Sequence, residues 1–206
     1  MKFYNSIGPN PRVVKMFMAE KGIDVPRVEV DLRAGENRQA AHVARNPSGQ
    51  MPTLELDDGR YLAEVTAICE YLEEKHPSPP LIGTNAEERA MTRMWTRRVD
   101  LYIVEPMLTG FRAAEGYALF KDRMRLFPQA AADLKTLAQE KIAWLDGLIA
   151  GRDFIAGDRF TLADILLYCT LDFAQSVGQP VNRDNKNIAA WFDRVSARPS
   201  AEASKK

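Results

Sequence analysis

One short segment, Gln50-Met51-Pro52, combines residues that can present their backbone to a ligand. It stands directly before a short apolar run. With a trans bond, Pro52 is an ordinary proline at the start of a strand. With a cis bond the turn is sharper, and Met51 can direct its N–H and C=O outward to pair with an extended peptide, as an added strand does. Both interpretations fit the local sequence.

A second segment, at Glu64, can bind charges of opposite sign. Glu64 stands at the predicted start of a helix. A carboxylate there is favoured by the helix dipole, by about 0.3–1 kcal/mol, with no further role. The free N–H groups of the same turn can also bind a ligand carboxylate while Glu64 accepts the ligand's ammonium group. Both charges of an amino-acid zwitterion would then be bound within the first turn of this helix.

The elements that position these segments alternate between strand and helix. Strand signals occur near residues 2–4, 28–30, 53–56 and 60–62, and helical spacing occurs near 12–21, 36–45 and 65–72. Asp57-Asp58-Gly59 favours a tight hairpin, because Asp and Gly tolerate the positive φ that such turns need. The order βαβαββα predicts an α/β domain with a mixed four-stranded sheet, in which the first βαβ unit is parallel and the hairpin antiparallel.

A proline-rich segment, His76-Pro77-Ser78-Pro79-Pro80, separates two different halves. Three prolines in four positions cannot continue a helix, so a stiff, exposed linker is expected. Helical spacing dominates beyond it, near 87–105, 129–150 and 162–177, and Thr161 with Asp164 forms a capping-box pattern before the last of these. The predicted divisions are an N-terminal domain over 1–76, a linker over 77–86 and an all-helical domain over 87–206.

Charge and composition exclude several classes of function. Lysine and arginine (28) balance aspartate and glutamate (28), so no basic field attracts nucleic acid or an anionic membrane. No run of about 20 apolar residues occurs, and a cytoplasmic protein is expected. Cys69 and Cys169 are expected to be core thiols, and they form neither a C-x-x-C pair nor a metal site. His42 and His76 are expected to be solvated.

Several stretches together form a recognisable pattern. They are Asn46-Pro47-x-Gly49-Gln50-x-Pro52-x-Leu54, Asp58-Gly59-x-x-Leu62-x-Glu64, Ala67-Ile68-x-x-Tyr71-Leu72, Glu20-Lys21-Gly22 and Thr161-Leu162-Ala163-Asp164. The pattern resembles the cytosolic glutathione transferase superfamily, including bacterial theta-like and nu-like members. The resemblance implies a thioredoxin-like domain followed by an all-helical domain, a homodimer, a detoxification role, and glutathione as cosubstrate with a small hydrophobic electrophile.

The resemblance also implies roles for individual residues. Met51 would pair its backbone with the cysteinyl part of glutathione and precede a cis Pro52. Gln50 would hydrogen-bond the glycyl end. Asn37 and Arg38 fall where many members place a pair that contacts the glycyl carboxylate.

The γ-glutamyl end of the implied site departs from the family pattern. Glu64 would hold this group, but Val65 occupies the position of the usual serine. The backbone N–H of Val65 can still serve, whereas the hydroxyl bond is lost. Thr66 lies one residue on, rotated by roughly 100° around the helix.

The sequence offers several candidates for the residue that activates the thiol of glutathione. A thiol with a pKa of about 8.5 needs a donor that favours the thiolate. The resemblance places a hydroxyl at Gly8, which has no side chain. Asn10 matches the sulfur site of nu-like members, although it can also be a plain helix N-cap. Ser6 is the next candidate, with Asn5 and Tyr4 behind it.

Three functions remain in competition. The first is a transferase that conjugates glutathione to an electrophile, with a pocket wall that draws on the helical half. The second is a glutathione-dependent disulfide or peroxide reductase, which the missing hydroxyl at Gly8 favours. The third is a non-catalytic binding module, which Val65 favours. Residues of the helical half that fit either a pocket wall or a core are Tyr102, Met107, Phe111 and Tyr117.

Overall fold

The computed structural model describes residues 1–206, and the chain forms two compact units. The first contains residues 1–81 together with 199–206, and the second contains residues 82–198. These divisions differ from the predicted ones at 76 and 86. The last residues of the chain pack with the first unit, whereas the sequence pattern places them in the helical domain.

The first unit has the predicted order of strands and helices. Its strands are β1 (Lys2–Asn5), β2 (Arg27–Glu29), β3 (Thr53–Glu55) and β4 (Tyr61–Leu62), and its helices are α1 (Pro9–Lys21), α2 (Ala40–Val43) and α3 (Val65–Lys75). The sheet order is β2-β1-β3-β4. β1 and β2 are parallel, and the other two pairs are antiparallel. The mixed four-stranded sheet is therefore confirmed.

The apolar spacing of α1 explains why it lies on the core. Val13, Val14, Phe17 and Met18 are at most 2% exposed. The helix begins at Pro9, earlier than the apolar pattern predicts, because the fixed φ of proline suits the first helical position. It ends at Gly22, whose left-handed conformation (φ 65°) satisfies the last carbonyls.

The predicted helix over 36–45 is mostly wrong. The segment forms a 3-10 turn at Glu36–Arg38 and then the single turn of α2. Both are short, so backbone hydrogen bonds alone hold them weakly. Side chains of this segment are instead used to hold the loop that follows.

The linker after α3 is anchored by a buried cation. Lys21 Nζ lies 2.6 Å from the Glu73 carboxylate and donates to the carbonyls of His76 (2.6 Å) and Pro79 (2.8 Å). Glu73 in turn accepts from the Leu81 N–H at 3.1 Å. Both charged side chains are at most 4% exposed, so the pair fixes the path of the linker over α1 and α3.

The second unit is all helical, as predicted. Its helices are α4 (Ala86–Val99), α5 (Glu105–Ala113), α6 (Tyr117–Phe120), α7 (Ala131–Leu148), α8 (Leu162–Ser176) and α9 (Lys186–Ser196), with a π-helical turn at Asp100–Val104 and a 3-10 turn at Pro128–Ala130. No helix of the chain is both long and apolar enough to cross a membrane.

The predicted capping box at the start of α8 is confirmed. Asp164 Oδ2 accepts from the Thr161 backbone N–H at 2.8 Å, and the Thr161 side chain caps the helix in return. Asp164 Oδ1 also accepts from Trp191 Nε1 and the Ile155 N–H, each at 2.8 Å. This buried carboxylate therefore joins the start of α8 to α9.

The last helix, α10 (Pro199–Ala203), returns to the first unit and packs on α1. Arg12 Nε donates to Ser204 Oγ at 3.1 Å, and Lys15 Nζ donates to the Lys206 carbonyl at 3.0 Å. Ser200 Oγ donates to the carboxylate of Glu20. These polar contacts explain why the end of the chain belongs to the first unit.

Candidate functional site

Met51 offers an unpaired backbone at the start of β3. The Met51–Pro52 peptide bond is cis, as the resemblance implies. The Met51 side chain is 7% exposed and packs in a cluster with Tyr4 and Val30, with Leu32 against it. Neither the N–H nor the C=O of Met51 has a hydrogen-bond partner. The buried side chain thus fixes the residue while its backbone can pair with an extended ligand.

The loop before Met51 is held by side chains of the preceding segment. Asn37 Nδ2 donates to the Gly49 carbonyl at 2.7 Å, and Arg38 Nη1 donates to the Ser48 carbonyl at 3.1 Å. Asn46 Nδ2 donates to the Gln50 carbonyl at 2.9 Å. The three carbonyls directly before Met51, at residues 48–50, are therefore each bound by a side chain, which fixes the approach to Met51.

Gly49 is required by this loop. Its φ of +61° is costly for residues with a Cβ, and a Cβ there would lie 2.9 Å from Arg38 Nη1. The Arg38 guanidinium therefore lies directly against the loop backbone. Asn37 is only 2% exposed, so its side chain supports the loop from inside.

Glu64 is held in a strained conformation at the start of α3. It is the only non-glycine residue with a positive φ (67°, with ψ 123°). Its exposed carboxylate makes no capping bond to its own helix. The backbone N–H groups of Val65 and Thr66, in the first turn, have no partner. Strain of this kind costs about 1–3 kcal/mol and clusters at ligand-binding positions.

Three of the four candidate thiol activators are engaged inside the protein. Tyr4 Oη donates to Glu55 Oε2 at 2.7 Å, and burial together with this bond raises the pKa of Tyr4 to about 12. Asn5 Nδ2 donates to both oxygens of Glu29, at 2.8 and 3.0 Å. Ser6 is 5% exposed and its hydroxyl donates to the Val30 carbonyl at 2.7 Å.

Asn10 has a different environment. It is the second residue of α1, so it is not the N-cap, which is Gly8 (φ 116°). The Asn10 side chain is half-buried and has no hydrogen-bond partner. Pro9 and Pro11 carry no N–H, so the backbone of Asn10 supplies the only amide donor among the first three helical residues. Both the amide side chain and this N–H are therefore available to an anion.

An open pocket of about 470 Å³ adjoins this region in the first unit. Its apolar lining comes from Ile7, Val30 and Leu32, and Leu32 also packs on the cluster that contains Met51. Its polar lining is formed by Ser6, Glu29, Asp31, Arg33 and Glu36. Val30 and Leu32 thus connect the pocket lining to the cluster that holds the Met51 side chain.

Comparison with known proteins decides the family. The glutathione S-transferase N-terminal domain matches residues 7–75, and the C-terminal domain matches residues 114–199. Glutathione S-transferase 2 of Saccharomyces cerevisiae is 32% identical over 200 residues, which cover 95% of this chain and 84% of that protein. The chain belongs to the glutathione S-transferase family.

Solved structures agree with this membership of the glutathione S-transferase family. The crystal structure of Gtt2 from Saccharomyces cerevisiae superposes with a TM-score of 0.92 at 31% identity, covering 99% of this chain and all of that one. A glutathione S-transferase domain-containing protein from Marinobacter aquaeolei gives 0.91 at 37% identity, covering 97% of this chain and 99% of that one. The predicted fold class is confirmed.

Sequence reasoning missed one residue of this transferase-family site. His42 is predicted to be solvated, but it is 2% exposed, with Nε2 3.4 Å from the Gln50 carbonyl. The prediction is wrong because α2 turns its histidine toward the loop at 48–50. His76 is exposed, as predicted. No periodic signal marks His42, since α2 is a single turn.

The helical-half candidates of this transferase-family chain fall into two groups. Met107 is 1% exposed and belongs to the core of the second unit. Phe111 packs edge-on against Phe173 at 4.9 Å. Tyr102 and Tyr117 are 42% and 43% exposed. Core packing thus accounts for Met107, while the two tyrosines lie partly exposed at the surface of the second unit.

Proposed function

We propose that this family member binds glutathione along the first unit and conjugates it to a small hydrophobic electrophile. The observation that carries the proposal is the unpaired N–H and C=O of Met51 on a buried, immobilised residue. An extended tripeptide adds to these groups as a short strand, which gives affinity through main-chain hydrogen bonds. The cysteinyl residue of glutathione is the part that pairs here.

The γ-glutamyl end is assigned to the start of α3. Glu64 accepts the ammonium group, and the free N–H groups of Val65 and Thr66 bind the carboxylate. These are charge-assisted hydrogen bonds, which are roughly twice as strong as neutral ones. Because Val65 has no hydroxyl, the γ-glutamyl carboxylate is bound by backbone N–H groups alone.

The glycyl end is assigned to Gln50 and Arg38. The Gln50 side chain is half-buried, and the Arg38 guanidinium lies against the loop next to it. Asn37 acts from behind, by holding the Gly49 carbonyl. A guanidinium matches a carboxylate in shape and charge, so Arg38 suits the glycyl carboxylate.

The sulfur end is assigned to Asn10. Its side-chain amide and its backbone N–H donate to the sulfur, and hydrogen bonds to the charged form lower a pKa. The thiol proton passes to solvent, the thiolate attacks the electrophilic carbon, and a C–S bond forms as the leaving group departs. Binding both substrates together supplies a large part of the rate gain.

A second candidate function is reduction of disulfides or peroxides by glutathione. Gly8 provides no hydroxyl at the position where the family places one, and this favours a weaker conjugating site. Both protein cysteines are buried, so two glutathione molecules would supply the two electrons and leave as glutathione disulfide. The bound thiolate would attack a sulfur or peroxide oxygen instead of carbon.

Calorimetry with glutathione tests the proposal directly. Glu64→Gln should weaken binding by about tenfold, because a charge-assisted hydrogen bond of about 1.5–3 kcal/mol is lost. Glu74→Gln, which alters an exposed carboxylate of the same helix, is the control and should bind as the wild type does. Absence of glutathione binding in the wild-type protein would reject both candidate functions and favour a non-catalytic module.

Two activity assays separate the candidates once binding is established. Conjugation is followed with a chlorodinitrobenzene-type electrophile, and reduction with hydroxyethyl disulfide or a hydroperoxide. A rate with the electrophile that exceeds the disulfide and peroxide rates supports the transferase. The reverse order supports the reductase.

The proposal includes a homodimer in the cytoplasm, on the basis of the family resemblance. Sedimentation of the purified full chain should give twice the monomer mass of 23.2 kDa. A monomer at micromolar concentration would contradict this part and leave glutathione binding to its own test.

A further inference from the structure

His42 occupies an unusual position for a titratable side chain. It is 2% exposed and lies under the loop that leads to Met51. Its Nε2 faces the Gln50 carbonyl at 3.4 Å, and its Nδ1 is buried with no partner. A carbonyl oxygen only accepts hydrogen bonds, so Nε2 carries the proton of the neutral ring. Nδ1 is then the unprotonated nitrogen.

The Gln50 carbonyl has two side-chain donors, and His42 is the one that titrates. Asn46 Nδ2 is the other, at 2.9 Å. The neighbouring carbonyls are held by the amide of Asn37 and the guanidinium of Arg38. Among side chains, histidine is the one whose ordinary pKa lies between pH 5 and 8. The loop therefore contains one proton-sensitive contact.

The surroundings of His42 disfavour its charged form. A proton on Nδ1 would create a buried N–H donor with no acceptor, which is unfavourable. Arg45 is the charged group that faces the ring. Tyr4, 6.4 Å away from centroid to centroid, presents an aromatic edge, and its hydroxyl is bound to Glu55. Burial, with the charge of Arg45, lowers the pKa of His42 despite the bond to Gln50.

We propose that His42 is a positioning residue for glutathione: its neutral ring holds the loop that presents Met51, and protonation in mild acid releases that loop and the tripeptide. The inference rests on the proposed function. His42 does not touch the ligand and acts through the Gln50 carbonyl.

The sign of the pH dependence follows from linkage. Above the ordinary histidine pKa of about 6.5, the ring is neutral whether the loop is closed or open, and closure is at its full stability. As the pH falls below that value, the open loop binds a proton that the closed loop excludes. Acid therefore opens the loop, and glutathione binding at acid pH must expel the proton.

Calorimetry in two buffers of different ionisation enthalpy measures that proton. The probe is S-methylglutathione, which has no thiol proton to lose. Near pH 5.5 the wild-type protein should release a fraction of a proton on binding it, and its Kd should weaken about threefold or more from pH 7.5, within the one-proton limit of about tenfold per pH unit. His42→Gln keeps a donor but cannot titrate, so it should bind with little proton release and a nearly constant Kd. His76→Gln changes the other, exposed histidine and should behave as the wild type does.

Hydrogen exchange tests the same residue without a ligand. After correction for intrinsic rates, amides of residues 36–50 should exchange faster near pH 5.5 than near pH 7.5 in the wild type, and this difference should vanish in His42→Gln. His42→Phe, which keeps a planar ring without a titrating group, repeats the comparison if the glutamine variant folds poorly. Equal acid sensitivity in wild type and variants would overturn the inference. Failure of glutathione to bind at any pH would reject the proposed function, and exchange would still decide the role of His42.

Discussion

At the scale of single residues, Asn10 differs from the other candidate thiol activators because its side chain makes no hydrogen bond within the protein. Ser6 has a hydroxyl, but that hydroxyl is committed to the Val30 carbonyl. Asn10 lies between Pro9 and Pro11, which have no N–H. Its backbone N–H is therefore the first free amide donor of α1. Asn10 is therefore favoured as the donor to the glutathione sulfur because its N–H groups are free, whereas the Ser6 hydroxyl is already used.

Replacing Asn10 tests this assignment. Asn10→Ala should raise the pKa of the bound thiol by about one unit, since a hydrogen bond to a charged group contributes about 1.5–3 kcal/mol. The pH dependence of conjugation should shift to higher pH, with a rate about tenfold lower near neutrality. Ser6→Ala serves as the comparison and should leave the pH profile in place. A shift in Ser6→Ala without one in Asn10→Ala would reverse the assignment.

Glu64 combines strain with a proposed binding role, and the two can be separated. Glu64→Gly should relieve the positive φ and stabilise the protein by about 1 kcal/mol, as strain of about 1–3 kcal/mol is offset in part by the flexibility of glycine. The same change removes the carboxylate and should abolish tight glutathione binding. Thermal unfolding and calorimetry on one preparation measure both effects.

The control for this pair of effects is Glu64→Gln, which keeps the strain and removes the charge. It should weaken glutathione binding without a gain in stability. Equal stability of the glycine and glutamine variants would show that the strain at Glu64 is no larger than the entropic cost of glycine.

At the scale of elements, α1 and α3 are joined by one buried ion pair. Lys21 and Glu73 are almost fully enclosed, and Lys21 also binds two linker carbonyls. Lys21→Met should destabilise the protein by about 3–5 kcal/mol, because it leaves Glu73 as an uncompensated buried charge. Denaturant unfolding measures the loss.

Together with the single variant Glu73→Leu, the double variant Lys21→Met with Glu73→Leu completes a double-mutant cycle. It should be more stable than Lys21→Met alone, since no charge is left buried. If the single and double variants lose the same stability, the role of Lys21 lies in holding the linker carbonyls and not in the ion pair.

Elements that form from local signals were predictable, and the loop supports were not. Asp57-Asp58-Gly59 forms the expected hairpin, with Gly59 at φ 82° and the Leu56 N–H bonded to the Arg60 carbonyl at 2.8 Å. Turn chemistry of this kind is contained in a few adjacent residues.

Asn37 and His42 show why the side chains that support the loop before Met51 could not be predicted from sequence patterns. Their partners lie 12 and 8 residues further along the chain, on the loop before Met51. Such side-chain contacts depend on how residues 36–45 fold back on the loop. Neither the spacing of apolar residues nor secondary-structure propensity contains this information. The family resemblance pointed to Met51 and Glu64 from sequence, whereas the unpaired backbone of Met51 and the positive φ of Glu64 are seen only in the three-dimensional structure.

At the scale of the whole molecule, the first unit is assembled from both ends of the chain. Ser200, Ala201 and Ser204 are at most 5% exposed, although they lie more than a hundred residues from the rest of their unit. Closing such a long connection costs conformational entropy. Burial against α1 and the bonds from Arg12 and Lys15 must offset that cost.

Removal of residues 199–206 should therefore weaken the first unit in particular. We expect a loss of roughly 2 kcal/mol, from several partly exposed hydrogen bonds of about 0.5–1.5 kcal/mol each. Hydrogen exchange should rise in α1, whose outer face loses its cover, while α8 in the second unit keeps its protection. Glu202→Ala is the matched control, because its ion pair with Lys205 is exposed, screened by solvent and should contribute little to stability. Unchanged exchange in α1 after truncation would mean that α1 and the sheet hold the first unit together without the end of the chain.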